Sequence, residues 1–418
     1  MKTVTFCALG CRVNQYEIQA LREQFAKAGY TELKFGEKSD FCIINTCAVT
    51  KESEKKSRAY ISRASRCADA VVITGCYAEL CRMVGKMPEN VFYCGGCGVR
   101  GKILSVCEGI YSGYSENTCY EPLEIATTGK LPNERYRAFV KIEDGCNGRC
   151  AYCIIPKLRG KAYNRPEKDI VEEVGRLAHE GVSEVILTGI EVSDYGMKRL
   201  AGLIVKVAAI DGVKRIRLGS VNPGSVTPYF IETVKDCEKF CRHIHLSVQS
   251  ASDAVLKAMR RPYGAARLNE TVDMLYASIP DILITADIIS GFPGETDEQF
   301  EETYDFVKRS RIMHVHAFPY SPRPFTEAAE MPYQIPENIK KQRNARMIEL
   351  SDLNKAQIAH GLLGSVQTVL VEKNVRNAAS GHTGGFMESH ITDSRAKPGE
   401  YVECRITGFD GALICEEI

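Results

Sequence analysis

Asp144-Gly145-Cys146-Asn147-Gly148-Arg149-Cys150-Ala151-Tyr152-Cys153-Ile154-Ile155-Pro156 holds three cysteines in a CxxxCxxC run, with an aromatic residue just before the last. Three thiolates on one short loop can hold three irons of a four-iron cluster. The fourth iron is then open to a small molecule and to electron transfer. Three close thiols can also join a zinc site, usually with a fourth ligand nearby. The loop has no histidine, and the nearest downstream is His179. Iron–sulfur chemistry is the favoured reading, with zinc as the alternative.

The loop follows an apolar stretch, Arg137–Ile142, that reads as a strand. Similar stretches recur at Glu184–Gly189, Arg215–Gly219, His243–Gln249, Leu283–Ile289 and His314–Tyr320, with helical patterns between them. The later ones are spaced by roughly thirty to forty residues, the size of a βα unit. Six such units predict an open (β/α)6 partial barrel, with the cysteine loop at its C-terminal mouth, where such barrels place their chemistry.

Upstream, Val4–Leu9, Phe41–Asn45 and Val71–Thr74 read as strands, and Asn14–Ala28 and Glu52–Ser65 as helices. That pattern predicts a small α/β domain with a parallel sheet. Cys11, Cys47 and Cys76 each follow one of these strands almost at once. Carboxyl ends of parallel strands share one edge, so three cysteines distant in sequence meet there. Free cysteines are often merely small buried hydrophobes. Cys7 and Cys42, inside strands, fit that description; the three loop cysteines fit a second cluster site better.

Glu108 to Asn133 is rich in Gly, Ser, Thr and Pro and reads as a linker. Pro336 to His360 carries Ile339, Met347, Leu350 and Leu353 on one helical face and reads as a bridging helix. From Leu362 the period shortens to strands at Val366–Val371, Gly381–His382, Phe386–Ile391, Tyr401–Ile406 and Ala412–Cys415, which predicts a small all-β barrel. The expected organisation is residues 1–115, 132–335, 336–360 and 361–418.

The 418 residues carry a net charge of +1, so bulk charge points to no partner. Eighteen cysteines in so long a chain suit metal binding in a reducing cytoplasm better than a secreted scaffold. No signal peptide is read at the start, and no run approaches the ~18 apolar residues of a membrane span, so no membrane partner is expected.

Together these stretches resemble the methylthiotransferases, a family within the radical S-adenosylmethionine superfamily. The likeness rests on Leu9-Gly10-Cys11-Arg12-Val13-Asn14-Gln15-Tyr16-Glu17, Asn45-Thr46-Cys47-Ala48-Val49-Thr50 and Thr74-Gly75-Cys76-Tyr77-Ala78. It also rests on Glu143–Gly160, Gly291-Phe292-Pro293-Gly294-Glu295-Thr296, Phe318-Pro319-Tyr320-Ser321-Pro322-Arg323 and Ser380–Ile391, the last resembling a TRAM domain. The resemblance covers nearly the whole chain. It implies two 4Fe-4S clusters, at Cys146, Cys150 and Cys153 and at Cys11, Cys47 and Cys76. It implies two uses of S-adenosylmethionine, one as methyl donor to a cluster-held sulfur and one as radical source. The branch it most resembles acts on N6-threonylcarbamoyladenosine in the tRNA anticodon stem-loop; a protein or peptide substrate is the alternative. A reductase or flavodoxin-type electron donor and a sulfur donor are implied partners.

Cofactor contacts are expected from Tyr152, at the family's aromatic position near the adenine, and from strand-end residues Thr188, Gly189, Ser220, Ser247 and Gln249. Arg260 and Asp287 complete the set, although an ordinary turn or local ion pair would also explain each. The family usually has Leu-Glu-Pro after the third strand; here Ser220-Val221-Asn222-Pro223-Gly224 puts Asn222 where the acid would stand. Lys161-Ala162-Tyr163-Asn164-Arg165 and Gln249-Ser250-Ala251-Ser252 also depart from the pattern. Residues Gly361–Ile418 carry five basic and eight acidic side chains, a net of −3. A phosphate-tracking surface usually has the opposite excess, but Arg376, His382, His390 and Arg395 could form a local patch. Asn222, Arg376 and Arg395 are therefore the candidate substrate contacts. Basic runs at Lys51–Arg66, Lys257–Arg261, Lys308–Arg311 and Lys340–Arg346 read equally well as solvated helix faces. Cys94-Gly95-Gly96-Cys97 is a further CxxC, read as two thiols in a glycine-rich turn.

Overall fold

A computed structural model describes residues 2–86, 88, 91–94, 102–111 and 136–418. Cys97 and most of the expected linker lie outside them. The linker's expected start does not: Glu108 lies in a helix, Ile103–Tyr111, anchored by buried Ile103 and Cys107.

The N-terminal sheet is five-stranded and parallel. Its strands are β1 (Thr3–Ala8), β2 (Thr31–Glu32), β3 (Ser39–Thr46), β4 (Ala68–Gly75) and β5 (Val91–Tyr93), in the order β2-β1-β3-β4-β5. Alternation along β3 sends Phe41 and Ile43 to one face, beneath the helix Arg12–Lys27. Cys42 and Ile44 go to the other, beneath the helices Lys51–Ala64 and Cys76–Val84. The edge strands β2 and β5 are too short to show a period of their own.

The central unit contains β6 (Arg137–Lys141), β7 (Glu143–Asp144), β8 (Tyr163–Asn164), β9 (Glu184–Thr188), β10 (Arg215–Leu218), β11 (Ser220–Val221), β12 (His243–Gln249), β13 (Leu283–Ser290) and β14 (His314–Pro319). Strands β10-β9-β6 form one parallel sheet and β11-β12-β13-β14 another. The expected third strand breaks at Gly219, where an added Cβ would lie 3.1 Å from Val192 and 3.2 Å from Thr188 Oγ1. Its two halves pair with opposite neighbours, which gives the open six-position barrel. The helix Glu337–Gly361 packs along β14.

The C-terminal unit is a closed barrel of β15 (Val366–Val375), β16 (Ala378–Thr383), β17 (Glu388–Thr392), β18 (Tyr401–Phe409) and β19 (Leu413–Glu417), ordered β15-β16-β17-β19-β18. β16 extends well beyond the expected Gly381–His382. Phe386 leaves the expected third strand and turns left-handed, with φ of 68°.

That turn docks this barrel into the central one. Arg217 donates to the Thr383 and Gly384 carbonyls at 2.7 and 2.8 Å, and to Glu184 at 2.8 Å. The Phe386 ring lies 4.7 Å from the Arg217 guanidinium and 5.4 Å from that of Arg137, and it stacks on His382. Arg217 is 2% exposed. A buried arginine needs such a full set of acceptors.

Candidate functional site

Cys11, Cys47 and Cys76 follow β1, β3 and β4 at one edge of the N-terminal sheet. Cys11 caps the helix Arg12–Lys27, while Cys76 opens a helix rather than lying in a loop. Asn14 holds the edge together by donating to the carbonyls of Leu9 at 2.6 Å and Thr46 at 3.0 Å. Gly10 has a φ of +89°, and a Cβ there would sit 2.7 Å from Cys47 Sγ. The first loop thus reaches the second cysteine only as glycine. Burial pushes the Cys76 thiol up to about 12; its neighbours Cys47 and Cys11 push the same way, and Arg159 opposes them.

Cys146, Cys150 and Cys153 lie on the loop between β7 and a short helix, Ile155–Arg159. The loop is tied down by Cys146 N–H to Gly160 at 3.1 Å, Ala151 N–H to Met259 at 3.0 Å and Asn147 N–H to Asp194 at 2.9 Å. Gly148 N–H points at Cys146 Sγ from 3.2 Å, and Arg261 Nη1 donates to Cys150 Sγ at 3.3 Å. Burial pushes Cys146 up to about 12 and Cys153 up to about 11. Neutral thiols are what burial without a compensating cation demands, and a bound metal reverses that preference.

Both sets are all-sulfur donor sets. Among the described residues no three His, Cys, Asp or Glu side chains close around a single ion. Three thiolates from one loop, or from three neighbouring strand ends, are the donor chemistry that a 4Fe-4S cluster takes.

The triads border one apolar cluster: buried Cys47, Cys76, Ile154, Ile155 and Leu158, with Cys146 and Cys153 packed against it. Arg159 spans the gap. It donates to Asn14 Oδ1 at 2.6 Å, Asp144 at 2.7 Å and Glu17 at 3.2 Å. Lys141 pairs with the same two acids, at 2.9 Å to Asp144 and 3.1 Å to Glu17.

The remaining expected residues separate into two groups. Thr188 ends β9, buried; Gly189 lies against Glu143, whose Oε2 accepts from the N–H groups of Ile190 at 2.8 Å and Glu191 at 3.0 Å. A Cβ on Gly189 would strike that carboxyl at 2.4 Å. Burial raises the Glu143 carboxyl to about 8. Ser220 is on β11, and its buried hydroxyl has no hydrogen-bond partner among the described residues. Ser247 and Gln249 lie at the end of β12, and Gln249 is left-handed with φ of 66°. Tyr152 lies beside Cys150, Cys153 and Arg261. These residues surround the barrel mouth.

Others are engaged elsewhere. Arg260 pairs with Glu327 at 2.7 Å; its neighbour Arg261 reaches the cysteine loop instead and also donates to the Ser247 carbonyl at 2.9 Å. Asp287 meets His245 at 3.1 Å, deeper in the barrel. Asn222 is buried and accepts from Gly224 N–H at 3.0 Å, capping a short turn. Arg376 and Arg395 are exposed on the C-terminal barrel. The expected patch around them is incomplete, because His382 is bonded to Glu372 at 2.8 Å in the interface with the central barrel. Sequence reasoning missed Arg261, Arg159 and Glu143, each of which acts across a long stretch of chain.

Residues 140–307 match the radical SAM superfamily, and residues 3–94 match uncharacterized protein family UPF0004. The threonylcarbamoyladenosine tRNA methylthiotransferase MtaB of Bacillus subtilis is 35% identical over 97% of this chain and 94% of its own. MtaB of Thermotoga maritima is 34% identical over 99% and 97%. The chain belongs to the methylthiotransferase family of radical S-adenosylmethionine enzymes. Enzymes of this family are transferases that use S-adenosylmethionine and two 4Fe-4S clusters. A tRNA-2-methylthio-N(6)-dimethylallyladenosine synthase of Syntrophotalea carbinolica is also similar, 31% identical over 97% of each chain. Among solved structures, the radical S-adenosylmethionine methyltransferase TsrM of Kitasatospora setae superposes with a TM-score of 0.59 at 14% identity, covering 91% of this chain and 77% of that one. That likeness is one of fold. Among the described residues no helix is long and apolar enough to cross a membrane.

Proposed function

We propose that this methylthiotransferase converts N6-threonylcarbamoyladenosine beside the tRNA anticodon to its 2-methylthio derivative, using one S-adenosylmethionine as methyl donor and another as radical source. Residues 1–115 hold the auxiliary cluster through Cys11, Cys47 and Cys76. Residues 132–335 hold the radical-generating cluster through Cys146, Cys150 and Cys153. Residues 336–360 bridge to residues 361–418, which meet the RNA. When bound, the clusters and S-adenosylmethionine supply one-electron chemistry at an unactivated C–H bond and a methylated sulfur to replace the hydrogen.

The carrying observation is that both thiol triads border one apolar cluster, with Arg159 joining their supports. A sulfur holder must stand close to the place where hydrogen is removed. The protein's tasks are orientation and exclusion of water. Ile154, Ile155 and Leu158 keep the gap dry. Arg261 sets a cation and a hydrogen bond beside Cys150. Glu143 fixes the backbone after β9 at Gly189. A flavodoxin-type reductase and a sulfur donor complete the set of partners.

The test is a nucleoside profile by mass spectrometry from a strain lacking the gene. Loss of 2-methylthio-N6-threonylcarbamoyladenosine is expected. Persistence of that nucleoside would sink the assignment, and loss of the dimethylallyl nucleoside instead would move the chain to the other named activity.

A further inference from the structure

Arg12 follows Cys11 and begins the helix Arg12–Lys27, yet its side chain leaves its own domain. The guanidinium lies 5.9 Å from the Phe386 ring, over the inner face of the central barrel. Arg137 and Arg217 lie near it, and both are spoken for: Arg137 by Glu184 and Glu372, Arg217 by Glu184 and two carbonyls. Arg12 is half-buried, and among the described residues its guanidinium makes no ion pair or hydrogen bond. The charged groups around it are Arg137, Arg217 and Asp287.

Asp287 on β13 is paired in register with His316 on β14 and bonded to His245 at 3.1 Å. His316 is exposed, and its ring lies 5.3 Å from that of His245. Phe318 stands two residues further along the same face of β14, 42% exposed, toward the barrel mouth. Exposed Phe318 and His316 on β14 and Asp287 on β13 thus share a barrel wall with a guanidinium that has no ion pair among the described residues and that follows exposed Cys11 in the chain. A half-buried charge without a partner is costly, and arginine is the side chain that best matches a carboxylate, with two parallel N–H donors.

We propose that Arg12 is the receptor for the carboxylate on the N6 substituent of the substrate, and that it selects threonylcarbamoyladenosine over adenosines with a neutral N6 group. This rests on the proposed function. A dimethylallyl group in the same place would leave the guanidinium desolvated and unpaired, so the residue rejects as well as attracts.

The experiment uses the anaerobically reconstituted full chain and three anticodon stem-loops, carrying threonylcarbamoyladenosine, its methyl ester, or dimethylallyladenosine. Kd and methylthiolation are measured for wild type, Arg12→Gln and Arg12→Lys. Wild type should prefer the acid to the ester by about tenfold to a hundredfold, the worth of a charged hydrogen-bonded pair. Arg12→Gln should bind acid and ester alike, at the wild-type affinity for the ester, and Arg12→Lys should recover part of the preference. An unchanged acid-to-ester ratio in Arg12→Gln overturns the proposal. Equal weakening of both ligands also overturns it, because that marks a purely structural contact with Phe386. If wild type prefers the acid but methylthiolates none of the loops, the receptor stands and the substrate reading falls.

Discussion

Arg159 Nη2 donates to Asn14 Oδ1 across 2.6 Å, tying the helix behind the barrel's cysteine loop to the helix behind Cys11. The contact spans two sheets and is fully buried. Through it, the position of one thiol triad depends on the other.

Arg159→Met should therefore be strongly destabilising. It takes a guanidinium away from the buried acids Glu17 and Asp144, which both keep their contact with Lys141. Breaking a buried ion pair from one side costs about 3–5 kcal/mol. The readout is a lowered Tm of the reconstituted protein; a Tm within error of wild type would mean that Lys141 suffices.

Separate cluster sites predict separate iron losses. Two four-iron clusters give about eight irons per chain. The triple change of Cys146, Cys150 and Cys153 to alanine should leave about half of the iron. Retention of all or none, by iron assay, contradicts two independent triads.

Gly10→Ala tests the auxiliary edge without touching a thiol. Its Cβ would meet Cys47 Sγ at 2.7 Å in a left-handed backbone. The variant should lose about half of the iron, like the cysteine changes at Cys11, Cys47 and Cys76. Full iron content would show that the loop can move aside.

Glu143 predicts a pH dependence. Its folded carboxyl titrates at about 8, above the ordinary 4.5, so folding favours the protonated form. That stabilisation is complete below pH 4.5 and is lost as pH rises through 8. Glu143→Gln keeps an oxygen for the Ile190 and Glu191 N–H groups and cannot ionise. The Tm of wild type should fall relative to the variant as pH is raised across that window. Parallel curves would contradict it.

The parallel α/β sheet, the open barrel and the small closed barrel were legible because apolar runs and turn residues are local signals. The strand-end positions of Cys11, Cys47 and Cys76 followed from a topological rule that needs only strand order. The break at Gly219 was not legible, because it comes from contact with Thr188 and Val192, on another strand and the turn after it. The choice between Arg260 and Arg261 turned on one left-handed residue, Arg260 with φ of 57°, which swings adjacent side chains in opposite directions. Arg159, Glu143 and Arg12 act through partners far along the chain, where spacing carries no information.

Phe386 and the carbonyls beside it form part of the floor of the central barrel, although they belong to the last domain of the chain. The C-terminal module is thus no detachable handle. Cutting it away would uncover Arg217, Glu184 and His243 and flood the chamber from below. A truncated enzyme that fails to turn over would report a breached vessel as much as a lost grip on RNA.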